Sequence, residues 1–243
     1  MKRKSLRGLI TTIALLGAVS LANGQSMLDN FDSYTPGSIS GQGGWEGWDG
    51  TPSVAGTVST LQASSGPQSL QVVAGNDTVR PFSGVTSGQW TLSLQQYVPS
   101  ASSGASWIIL MNGYPATVNE NWSVNLFTDI SGNVMESADV GGATLPLLKD
   151  QWVNIRFEIN LNANSVSSYY NNSLLATHAW QSGGLNQLQA LDLYPDEDAG
   201  AGTAQVGSVF YDNVQLTPVP EPATVSLLLL GGLAILFRAC RRP

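Results

Sequence analysis

Few side chains in this chain stand in company that suggests chemistry. The stretch "GGWEGWDG" sets Glu46 and Asp49 among four glycines, with Trp45 and Trp48 three residues apart. Aromatic faces stack on the C–H side of pyranose rings, and carboxylates accept hydroxyl hydrogen bonds, so these four residues form a candidate glycan platform. The competing reading makes Trp45 or Trp48 a plug at one end of a sandwich, since Trp is highly buried on average. In "MESADV", Glu136 and Asp139 are three apart, an odd spacing that sends them to opposite faces of a strand. That does not suit the paired carboxyls of glycoside hydrolysis, which flank one sugar. Glu158 stands alone, and "PDEDAG" (195–200) reads as a solvated acidic loop.

Nucleophilic and metal chemistry are narrowed by composition. Cys240 is the only cysteine and His178 the only histidine. Cys-based and His-rich zinc sites are therefore excluded, and any Ser–His–Asp or Cys–His catalysis would have to use His178. His178 lies in "LLATHAW" with no nucleophile motif beside it, so it reads as a structural or surface residue. Asp212, in "VGSVFYDNVQL", shares the parity of Val206, Phe210, Val214 and Leu216. A carboxylate at core-facing parity needs a partner, or else a β-bulge or hydrogen bonds near the sheet end.

The elements that must position these groups are strands. "QWTLSLQQY" (89–97), "SWIILM" (106–111), "NWSVNLF" (121–127) and "WVNIRFEINL" (152–161) alternate or run apolar between Gly, Ser, Asn and Pro. Further strands are expected at 69–74, 78–82, 165–170, 173–180, 187–194 and 206–216. Turns are expected near Asn162–Asn164 and at Asn171-Asn172, because Asn tolerates positive φ. Ten or more short strands without a sustained helical period indicate an all-β, two-sheet antiparallel sandwich over 25–217.

Both ends of the chain differ from this body. Lys2, Arg3, Lys4 and Arg7 precede an apolar run from Leu9 to Leu21, and Ala22 and Gly24 sit at −3 and −1 for cleavage before Gln25. Cleavage before Asn23 would use Ser20 and Ala22 instead. Residues 1–24 thus form a secretory signal peptide, an N-terminal signal helix. Residues 218–243 form a tail: a motif at 219–222 containing Pro220, Glu221 and Pro222, an apolar transmembrane helix at 223–237, and a basic end at 238–242 with Arg238, Arg241 and Arg242. At about 1.5 Å per residue the apolar run is short for a ~30 Å hydrocarbon core, and a snorkelling Arg238 extends it. The terminal arginines stay cytoplasmic, which leaves the body outside.

Seven of the ten Lys and Arg residues lie in those two ends. The body keeps Arg80, Lys149 and Arg156 against 16 carboxylates, a charge near −13. Such a surface repels nucleic acid and anionic lipid and attracts divalent cations.

The order "VPEP", Leu-rich run, "RACRRP" closely resembles the PEP-CTERM sorting signal of Gram-negative bacteria. The resemblance implies recognition by an exosortase, a membrane cysteine transpeptidase, and removal of the tail near Pro220–Pro222. Before cleavage the helix would hold the protein at the membrane. The family is associated with bacteria that produce exopolysaccharide and form biofilms or flocs. The hairpin "WVNIRFEINLNANSVSSYYNNSLLATHAW" resembles the core of the laminin-G and concanavalin A-like jelly rolls. The closing "VFYDNVQL" is similar to their last strand, which returns beside the first, and "LDNFDSYTPGSISGQGGWEGW" resembles the opening of similar exported domains. Related jelly rolls often hold a structural calcium between first and last strands, and the resemblance points to Asp32 and Asp212 with backbone carbonyls as its ligands. Laminarinase-like enzymes of this fold carry an E-x-D-x-x-E strand, which this sequence lacks.

The chain thus reads as an exported, exosortase-sorted cell-surface or matrix protein, non-catalytic, binding extracellular polysaccharide or purely structural, with no nucleic-acid partner. The alternative is a glycan-active hydrolase with a non-standard carboxylate pair.

Overall fold

The computed structural model describes residues 26–136, 142–200 and 202–220. Strands dominate: β1 (Met27–Asp29), β2 (Gly37–Ser38), β3 (Glu46–Gly47), β4 (Thr57–Ser59), β5 (Ser69–Val73), β6 (Thr78–Pro81), β7 (Gln89–Tyr97), β8 (Ala105–Gly113), β9 (Asn121–Asp129), β10 (Asn133–Glu136), β11 (Thr144–Pro146), β12 (Trp152–Asn160), β13 (Ser165–Tyr170), β14 (Ser173–His178), β15 (Ala190–Pro195) and β16 (Ser208–Val219). Among the described residues, helical structure is confined to 3-10 turns at Trp48–Gly50 and Pro52–Val54 and one short helix, α1 (Ala116–Asn119). Among the described residues no helix is long and apolar enough to cross a membrane. The signal helix and transmembrane helix expected from the sequence fall outside the described residues.

Two antiparallel sheets form. One runs β14-β13-β12-β7-β16-β5-β4-β2, with β1 also on β16; the other runs β11-β10-β9-β8-β15-β6-β3. Alternation explains why they stack. Leu92, Leu94, Ile155, Phe157, Val209 and Tyr211 of the first sheet share one core with Ile108, Leu110, Val124, Leu126, Leu191 and Leu193 of the second. The sandwich expected from the sequence is therefore present, and β1 does return beside the last strand, with Met27 opposite Leu216. The Asn turns also form. Asn171 and Asn172 take φ of 48° and 64°, as a two-residue hairpin turn between β13 and β14 requires.

The short strands β2, β3, β4 and β11 carry no period of their own in the sequence. They are held by neighbours rather than by local pattern.

One sequence expectation is corrected here. Asp212 does not share the core parity of Val214 and Leu216. The β7–β16 register shifts between Asp212 and Gln215, and Asn213 takes φ of 50°. The core residues before this bulge are Val209 and Tyr211; those after it are Val214 and Leu216. The extra residue flips the phase, so Asp212 lies with Phe210 on the side away from the core.

Candidate functional site

The seven-stranded sheet keeps a second apolar cluster on the side away from the shared core. Val79, Ile109, Met111, Tyr114 and Ala190 form it, with Trp48, Trp107 and Tyr194 packed against it. Strand pairing extends this row. Trp107 faces Phe127 across β8 and β9, with ring centroids 4.6 Å apart. Met111 faces Trp122, whose side is set by a register irregularity between Leu110 and Met111. Trp122 is 51% exposed, a large open ring further along the same face as Trp107 and Phe127. This row extends the aromatic residues of the outer face beyond "GGWEGWDG".

The "GGWEGWDG" residues divide between two places. Trp45 is 1% exposed, packs on Phe31, and donates its indole N–H to Asp29 Oδ2 at 2.7 Å. It is a core plug, so the expected four-residue platform does not form as such. β3 is an edge strand in which successive side chains alternate, so Trp45 points into the core and Glu46, next to it, points to the outer group. Glu46, Trp48 and Asp49 do come together. The Tyr114 hydroxyl donates to Glu46 Oε1 at 2.6 Å and accepts the Asp49 N–H at 3.0 Å, while Asp49 Oδ1 accepts the Ala116 N–H at 2.8 Å. Trp48 meets Tyr114 edge to face at 5.6 Å. A cleft of about 390 Å³ opens between Glu46, Asp49, Phe82, Tyr114 and Thr117. Burial and the Glu46 carboxylate raise the Tyr114 phenol well above its usual range, so it stays a donor.

The same outer face holds a carboxyl pair that sequence reasoning missed. Asp192, on β15, has Val79 and Ile109 as its cross-strand neighbours and is 2% exposed. Asp77, just before β6, is hydrogen-bonded to it through their side chains. Burial, then the Asp77 charge, pushes Asp192 well above the carboxylate range. Burial also raises Asp77, to about 6, although the bond from Asp192 opposes the rise; Glu197, Asp49 and Glu120 reinforce it. Two carboxyls in contact cannot both ionise without cost, so they share a proton at neutral pH. The only signal in the sequence was Asp192 inside "ALDLY", which reads as ordinary in–out alternation.

Asp32 and Asp212 are brought near each other around the 64–66 turn, close enough for the Asp32 charge to act on Asp212. Protein donors already occupy Asp212, while Asp32 Oδ1 is buried without a partner. Asp212 Oδ2 accepts the backbone N–H groups of Ser64 and Ser65 at 2.8 and 3.0 Å, and Oδ1 accepts that of Asn213 at 2.7 Å. Donor hydrogens, not lone pairs, converge on it, whereas calcium requires several oxygen ligands. Among the described residues, no group of three or more Asp, Glu, His or Cys side chains is placed to hold a metal. Asp32 accepts the Asn30 amide at 2.8 Å, and Gly66, at φ of 61°, lies too close to it for any Cβ. Asp212, 0% exposed, is a latch for the 64–66 turn at a bulge.

His178 bonds Glu136 across the edge of the sandwich, joining β14 of one sheet to β10 of the other, and its Nδ1 lies 2.8 Å from the Ala179 carbonyl. The Glu136 bond raises its pKa. That is a structural role, as its sequence context suggested. Asp139 lies outside the described residues. Of the sorting motif, Pro220 is the last described residue, directly after β16; Glu221 and Pro222 lie outside.

A family model described as the PEP-CTERM protein-sorting motif matches residues 218–242. The motif indicates an exported chain that an exosortase processes. No curated protein matches the chain. Among solved structures, a sialidase is similar over 80% of this chain at 11% identity and a TM-score of 0.53. This chain spans 18% of that sialidase, and the likeness is one of fold alone. An endo-beta-1,4-glucuronan lyase from the fungus Trichoderma reesei has 11% identity and a TM-score of 0.47 over 76% of this chain and 95% of its own. A galectin of Caenorhabditis elegans has 15% identity and a TM-score of 0.38 over 57% and 89%.

Proposed function

We propose that this protein is an exosortase-sorted component of the Gram-negative cell surface or extracellular matrix. Its sandwich, of the concanavalin A-like jelly-roll kind, binds extracellular polysaccharide without cleaving it. The observation that carries this reading is the outer face of the seven-stranded sheet. That face carries a half-exposed Trp122 and the Trp107–Phe127 pair on β8 and β9, and a carboxyl-lined cleft at Glu46, Asp49 and Tyr114. Exposed rings give flat apolar faces for pyranoses, and Glu46, Asp49 and Tyr114 supply oriented polar atoms.

The carboxyl geometry supports binding over hydrolysis. Asp77 and Asp192 are in hydrogen-bonded contact. Glycoside hydrolases separate their carboxyls by about 5 Å or more so that sugar or water fits between them. Glu46 and Asp49 already hold the Tyr114–Ala116 segment.

The test is a glycan array probed with the parent chain and with Trp122→Ala. Loss of at least about tenfold in affinity with an unchanged melting temperature is expected, because an open ring contributes little to the core. A Trp122→Ala chain that binds glycans as the parent does would refute the reading. Release of reducing ends from a bound glycan would establish the hydrolase alternative instead.

A further inference from the structure

The outer face of the seven-stranded sheet gathers negative groups that no cation answers. Asp77 and Asp192 sit at its centre, and Oδ1 of each is buried without a hydrogen-bond donor. Asp49 faces the pair from the 3-10 turn, Glu120 from the end of α1, and Glu197 from the loop after β15. Tyr194, on β15, lies in the field of Asp196, Glu197, Asp77 and Asp192.

The described residues contain three Lys and Arg side chains, and each is engaged elsewhere. Arg80 donates to the carbonyls of Gly44 and Pro81, in the field of Asp29 and Tyr34. Lys149 donates to the Ser102 carbonyl. Arg156 pairs with Glu158 and lies over the Tyr169 ring, both on the nine-stranded sheet. At physiological ionic strength charges act over about 8 Å, so a polymer stacked on the aromatic row lies inside this uncompensated field.

We propose that this face selects a glycan carrying free amino groups and rejects glycans carrying carboxylates. The proposal rests on the glycan reading above and narrows it to a charge class. A sugar ammonium brings the positive charge that the Asp49, Asp77, Glu120 and Glu197 group lacks, together with N–H donors. A uronate or sialate brings a further carboxylate into a field that already raises the proton affinity of Asp77. An N-acetylated sugar is neutral and falls between.

The experiment compares three hexasaccharides by calorimetry against the full-length chain in detergent. One is of glucosamine, one of N-acetylglucosamine and one of glucuronic acid, at about pH 6, where a sugar amine keeps its proton. The glucosamine oligomer is expected to bind about tenfold more tightly than the acetylated one at low salt, and the advantage should shrink as salt rises. The glucuronic acid oligomer should bind least. Glu120 and Glu197 are both exposed, so Glu120→Gln with Glu197→Gln changes charge without touching the core. This double variant should lose about three- to fivefold of the amino preference and bind the acetylated oligomer as the parent does. Equal or tighter binding of the glucuronic acid oligomer overturns the charge selection while leaving the glycan reading intact. So does an amino preference untouched in the double variant, or one that needs calcium and disappears in chelator. Binding of none of the three overturns both.

Discussion

Replacing Asp192 by Asn should change how stability depends on pH. In the folded chain Asp77 titrates near 6, against 3.8 for a free carboxyl, and burial raises Asp192 well above that free value too. A folded pKa above the unfolded one means that the native state holds a proton that the unfolded chain has released. The associated stability is complete below about pH 4 and is lost as pH rises through about 6. For Asp77 alone, about two units at about 1.4 kcal/mol each set a ceiling near 3 kcal/mol. Asp77 is partly exposed, so screening cuts this to about 1–2 kcal/mol. Asp192 adds to it with the same sign. For a domain of this size that is about 3–6 °C of melting temperature between pH 4 and pH 7. An asparagine side chain at this position keeps the shape, carries no proton to lose, and offers an N–H to the Asp77 carboxylate. Asp192→Asn should therefore flatten the decline and melt higher than the parent at pH 8. Other groups fall in the same direction: His178 is raised by Glu136, and Asp212 by burial. The assay is accordingly a difference between parent and variant melting curves at half-unit pH steps. Parallel curves would refute the shared proton.

Trp45→Ala should cost about 3–5 kcal/mol, measured by denaturant unfolding, because it empties a core site and removes one of the two donors to Asp29 Oδ2, the other being the Tyr34 hydroxyl. A loss under about 1 kcal/mol would show that the ring is not the plug described. Asp212→Ala should cost about 1–3 kcal/mol by releasing the Ser64, Ser65 and Asn213 N–H groups. Melting in millimolar calcium, magnesium or chelator should coincide, and a rise confined to calcium would restore a metal site at Asp32 and Asp212. In a host with an active exosortase, intact-mass analysis should find the mature chain ending near Pro220–Pro222. A mature species that still ends in Pro243 would contradict processing.

Much of the sandwich was legible in the sequence, because a strand's period of two is a local property. "QWTLSLQQY" is β7 to the residue, and the alternation of Val153, Ile155, Phe157 and Ile159 placed the core face of β12. Asn171-Asn172 announced its turn through a backbone preference of Asn itself. The sorting motif was legible for a similar reason, since it is defined by the local order of residues.

What alternation could not supply was any fact that depends on a neighbour far along the chain. The spacing of Trp45 and Trp48 permitted both platform and plug; the contacts with Phe31 and Asp29 decided for the plug at Trp45. The parity of Asp212 was misread because one left-handed residue, Asn213, resets the phase. Alternation alone leaves Asp192 of "ALDLY" free to face water, and only β6 and β8 on either flank, with Asp77 beside it, make it a buried acid. Strand character is written in each segment because it follows from local sterics and side-chain direction. Burial of a carboxyl, and its hold on a proton, follow from which segments pair, and pairing is a property of the closed structure alone.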